Sequence, residues 1–162
     1  MTDIPRALVA QALGTPEADL PPGDLPAERF AARYLAFVTV SLEADAPDGL
    51  PDAWTAALFE HLAKDDPLRA LTTIQAVLRQ VDSPDEVALL AAGPLQTLVE
   101  THGASMLGEL EAAAQSTPRF AFALSGLWSE GAGAPLLWAK VHSLATQGRL
   151  DDGDPLPPAA LG

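Results

Sequence analysis

Cysteine is absent from this 162-residue chain, and lysine occurs only twice, at Lys64 and Lys140. The first absence removes disulfides, thiolate nucleophiles and sulfur-ligated zinc in one step, and it suits a reducing compartment. The second leaves few candidates for Schiff-base or phosphoryl-transfer chemistry. Basic residues are scarce altogether, nine against 22 acidic ones, for a formal charge of −13. Binding to a nucleic-acid backbone therefore lacks its main donors, and an anionic membrane surface is disfavoured for the same reason. No run approaches the roughly 20 apolar residues that cross a bilayer. The opening "MTDIPRALVAQALG" carries Asp3 where a signal peptide would be basic, and its apolar part is short. A soluble, cytoplasmic protein is expected.

Catalytic signatures are missing too. Neither a glycine-rich phosphate loop with lysine nor a dinucleotide fingerprint occurs, and Glu60-His61 lacks the second histidine of His-Glu-x-x-His. Gly103-Ala104-Ser105 lacks the second glycine of a nucleophile elbow, with no strand before Ser105. The residues give no catalytic group, no cofactor site and no metal site.

Apolar residues make up 48% of the chain, enough for one core without staples. Three parts are expected. Residues 1–25 hold a short helix at Ile4–Leu13 and a Pro/Gly-rich linker, "GTPEADLPPGDLP". Residues 26–149 form a single helical domain. Residues 150–162, with "DDGDPLPPAALG", read as an acidic, disordered tail.

Inside the domain the apolar spacing is helical. Phe30, Tyr34, Phe37, Val38 and Leu42 share a face, although Val38–Leu42 taken alone could be a strand. Leu71, Ile74, Leu78 and Val81 form one stripe, with Arg69, Thr73 and Gln80 turned away. Phe120, Leu124, Leu127 and Trp128 form another, and Gly148 closes the last helix. Asp66-Pro67, Ser83-Pro84-Asp85 and Thr117-Pro118 mark helix starts. The fold class is all-α: six to eight antiparallel helices in an irregular bundle or a short solenoid.

One stretch breaks the pattern. In "LLAAGPLQTLVETHG", Leu89–Gly103, Pro94 has no amide hydrogen to give, and its ring strikes the carbonyl four residues back. With Gly93 easing a bend, one helix should stop or kink near Ala92. A second should run from Pro94 to His102, ended by Gly103. These residues, with Gln96, read as a structural kink and its caps.

At this stretch, with Trp54 and Asp66-Pro67 before it and "PRFAFALSGLW" after it, the sequence resembles a bacterial family known only as a domain of unknown function, number 6869. The likeness runs from about Trp54 to Trp138. It implies a helical fold and a bacterial source, and brings no activity with it. The family usually has glutamate after Gly-Pro-Leu, where this chain has Gln96. A capping or structural role for the position survives that change better than acid-base catalysis does.

Two features bear on function. The acidic surplus is partly explained by helix starts, where Asp52, Asp65, Asp66, Asp82, Asp85 and Glu86 fall. The remainder would speed encounter with a cationic surface. "LWSEGAGAPLLW" sets Trp128, Glu130 and Trp138 around a loop, which would suit a binding surface if the two indoles are not simply core. The leading expectation is a non-catalytic protein that binds another protein, immunity-like or inhibitor-like toward a basic partner. The alternative is an enzyme or metal-binding domain around His102, Glu100 and Glu109, or His102 and Glu111; His61 and His142 lie on other helices. A third reading is self-association through Trp128 and Trp138.

Overall fold

The computed structural model describes residues 3–43, 52–129, 134–146, 148–150 and 152–158. Helices α1 (Arg6–Leu13), α2 (Ala27–Glu43), α3 (Ala53–Asp65) and α4 (Pro67–Gln80) come first, with a 3₁₀ turn at Glu17–Asp19. Then follow α5 (Pro84–Leu90), a π-helical segment (Ala91–Leu95), α6 (Gln96–His102), α7 (Leu107–Ser116), α8 (Pro118–Leu124) and α9 (Pro135–Ser143). Among the described residues there is no strand, only an isolated bridge between Ile4 and Leu25. The protein is an all-α bundle. Val38–Leu42 lies inside α2, so the strand option for it falls.

Helix α4 is the pivot. It packs against α2, α3, α6, α8 and the π segment, so it is buried over most of its circumference rather than along one stripe. That corrects the outward placement of Thr73. The residue is fully buried, and its hydroxyl donates to the Arg69 carbonyl at 2.8 Å, which removes the cost of hiding a polar atom. Packing of α4 on elements distant in sequence makes this an irregular bundle and not a solenoid, whose units touch only their neighbours. Phe30, Phe59 and Tyr34 stack edge-to-face beside it, with centroids 5.4 and 5.0 Å from Phe59.

The helix starts obey capping chemistry at two places. An Asp66 oxygen accepts from the Arg69 amide at 3.4 Å, with Pro67 at the first helical position. Ser83 accepts from Glu86 N–H at 3.4 Å, while the Glu86 carboxylate takes the Asp82 amide at 2.7 Å, a near capping box. Asp52 departs from expectation. It sits at φ 63° and offers its carbonyl, not its carboxylate, to Thr55. Asp65 departs too, since it ends α3 and pairs with His61 at 3.1 Å.

Neither flank hangs free where it is described. Ile4 is fully buried and exchanges backbone hydrogen bonds with Leu25 at 2.7 and 2.9 Å. Arg6 holds the intervening loop through the Leu20 and Pro21 carbonyls, which ties the expected linker to α1, and α1 in turn packs on α3. At the other end Leu150 donates to the Ser125 hydroxyl at 3.0 Å, and Arg119 bonds the Pro157 carbonyl at 2.9 Å. Leu150 and Leu156 pack on the core, so the described residues 148–150 and 152–158 lie against the helices. Gly148, at φ 109°, lies beyond Ser143, the last residue of α9, beside Asp154. It turns the tail back and does not cap the helix.

Candidate functional site

The Gly93-Pro94 break is not a stop. Backbone dihedrals stay right-handed helical at Leu90, Ala91, Leu95 and Gln96. Pro94 would leave the Leu90 carbonyl without its usual donor four residues on, and the chain answers by widening one turn. Gln96 N–H reaches back five residues to the Ala91 carbonyl, sharing its proton with Gly93. The result is a π-bulge that runs α5 and α6 together as one rod; such bulges recur at functional sites. Counted as one, that rod makes eight helices among the described residues.

The widened turn sets up a face on the rod. Gly93 lies three and four residues before Gln96 and Thr97, and Glu100 four and three residues after them, so the four line one side. On one flank stands Glu60 of α3. Its carboxylate accepts from the Thr97 hydroxyl at 2.6 Å and lies 3.7 Å from where a Cβ on Gly93 would sit. Behind Glu60 lies Tyr34. Burial, and then the Glu60 charge, push the phenol's pKa upward, so it stays protonated.

On the other flank runs the segment after α8. Gln96 pairs with both backbone groups of Trp128: the Trp128 amide donates to Oε1 at 2.8 Å, and Nε2 donates to the Trp128 carbonyl at 2.8 Å. Nε2 also donates to Glu100 Oε1 at 2.6 Å. An amide serves here where a carboxylate would not, because the Trp128 carbonyl needs a donor.

The other expected site residues separate. Trp128 is 68% exposed, while Trp138 is 5% exposed and leans on His142 with centroids 6.0 Å apart. Trp128 therefore leaves the apolar stripe assigned to it, because α8 ends at Leu124 and the chain continues non-helically. Glu130 lies outside the described residues. Self-association through both indoles loses one of its two anchors, since Trp138 is core.

His102 is tied to α3 by its Nε2, which donates to the Lys64 carbonyl at 2.6 Å. Gly103 follows the last residue of α6, as expected, with right-handed backbone angles. It holds φ −52° and ψ −42°, and the chain turns on to α7 with Met106 N–H bonding the His102 carbonyl at 2.9 Å. Glycine is required there for space instead. A Cβ would stand 2.4 Å from the Val99 carbonyl oxygen and 3.0 Å from Leu137.

Glu100 bonds Gln96, Glu111 pairs with Lys140 at 3.9 Å, and Glu109 lies exposed in the first turn of α7. Among the described residues no group of three or more histidine, aspartate or glutamate side chains gathers to hold a metal ion. The surface also carries clefts of about 270 Å³ between α1 and α3 and about 160 Å³ beside Arg6 and Arg29.

Sequence reasoning missed Glu60 and Thr97. They stand 37 residues apart, and no local pattern joins them.

A family model described as a family of unknown function (DUF6869) matches residues 43–148. No curated protein and no solved structure matches the chain. No helix of the described residues is long and apolar enough to cross a membrane.

Proposed function

The chain belongs to the family of unknown function DUF6869, and since that membership supplies no activity we propose a function on physical grounds. This is a non-catalytic cytoplasmic protein that acts by binding a basic protein partner, in the manner of an immunity protein or inhibitor. The observation that carries the reading is the charge of −13 on an all-α scaffold. Only some of the acids are used in caps and ion pairs. Asp66 and Glu86 serve α4 and α5, and Glu17, Glu28, Glu111 and Asp152 face arginine or lysine. The surplus leaves a negative field that accelerates encounter with a cationic surface and discourages nucleic acid.

The test is capture from a lysate of the source organism on immobilised protein, eluted by a rising salt gradient. Enrichment of one or a few basic proteins that release as salt rises supports the reading, because exposed charges are screened over about 8 Å at physiological ionic strength. A retained set with no bias to basic proteins, released without regard to salt, contradicts it.

A further inference from the structure

We propose that the rod face Gly93–Gln96–Thr97–Glu100, together with the Trp128 indole, is the docking site for an arginine side chain of that basic partner. The inference rests on the binding role above and assigns it a place and a chemistry. Trp128 is the one tryptophan of three that the fold leaves mostly in water; Trp138 is buried, and Trp54 is half-buried against the core with its ring centroid 6.0 Å from Phe30. Its backbone is fixed at both polar atoms by Gln96, so the exposed ring stands on an anchored segment and loses little freedom when a ligand stacks on it. Glu100 is joined to the same amide nitrogen, which sets a carboxylate beside that segment. Glu60 adds a second across the face, and the missing side chain at Gly93 keeps the way to it open.

Among the described residues, neither carboxylate is paired with arginine or lysine, although the Glu17, Glu28, Asp66, Glu111 and Asp152 carboxylates are. An exposed indole on a segment that Gln96 ties to Glu100, beside a rod face whose carboxylates have no arginine or lysine partner among the described residues, matches a guanidinium. That group stacks on an aromatic face, forks its hydrogen bonds to carboxylate and gives up its water more readily than an ammonium does. Arginine is therefore favoured over lysine.

Binding of an arginine-rich peptide and of a lysine-rich peptide of equal length and charge is measured by fluorescence anisotropy at low salt. The wild-type protein, Trp128→Leu, and Gln96→Ala are compared, with folding of each verified by circular dichroism. The expected result is tighter binding of the arginine peptide. Trp128→Leu, which keeps an apolar side chain and the net charge, should weaken it by about 2- to 30-fold, the range from an exposed to a desolvated cation–π contact. Gln96→Ala should give a smaller loss in the same direction. If the two peptides bind alike and Trp128→Leu changes nothing, the site is wrong while a basic partner stands. If neither peptide binds the wild-type protein, the basic-partner reading fails with it.

Discussion

Gly93 and Gly103 lie on the same rod with opposite requirements, and both follow from what a methyl group would touch. At Gly93 the added carbon meets a carboxylate oxygen at ordinary contact distance, 3.7 Å. Gly93→Ala should be neutral or should raise stability by up to about 1 kcal/mol, since alanine loses less chain entropy in a helix. At Gly103 the same carbon meets a main-chain oxygen that cannot step aside. Gly103→Ala should cost about 1–3 kcal/mol, as overpacking does. Urea melts of the two variants check the pair, and equal effects would contradict the packing described for Gly103. Gln96→Glu belongs with them. The carboxylate can still accept from Trp128 N–H, but it loses the donor for the Trp128 carbonyl and faces Glu100 one turn on. A loss of about 1 kcal/mol is expected, with greater mobility of the Trp128 ring in time-resolved fluorescence.

At the scale of elements, the readable signals were those with a local cause. Asp66-Pro67 and Ser83-Pro84 start helices because a short oxygen-bearing side chain and a pre-set φ act within one turn, and both are found in place. Asp66→Ala should cost about 1 kcal/mol in thermal unfolding. The fate of Gly93-Pro94 was not readable, because whether proline ends a helix or widens a turn depends on what clasps the rod from outside. Here α3 and the Trp128 segment do so, through Glu60–Thr97 and Gln96. Thr73 was misplaced for a related reason. Amphipathic counting supposes one wet face, and α4 is enclosed by α2, α3, α6 and α8. The Trp128 and Trp138 pair divided because one sits just past a helix end and the other inside a helix. The exposure that makes Trp128 a candidate anchor had no signature in its spacing.

Across the whole molecule, charge is both a surface property and a set of ties between helices. Glu28 of α2 meets Arg79 and Gln80 of α4. The Arg79 hydrogen bond, acting against partial burial, holds the Glu28 carboxyl below its ordinary range. A depressed folded-state pKa gives stability that is present above the ordinary value of 4.5 and is lost as pH falls through the lowered one. With the side chain 57% exposed, the contribution is small, at most about 1 kcal/mol. Glu28→Gln should lower stability at neutral pH and flatten its decline in acid, as followed by denaturant melts across that range.

The negative field and the Trp128 face make one account: the field brings a basic partner in, and the indole with its two carboxylates takes hold of it. Amide chemical-shift mapping of the isotope-labelled protein with the arginine-rich peptide tests this most directly. The account predicts shifts concentrated at Gly93, Gln96, Thr97, Glu100 and Trp128, including the Trp128 indole N–H. Small shifts scattered over every acidic surface, with that indole signal unmoved, would contradict it.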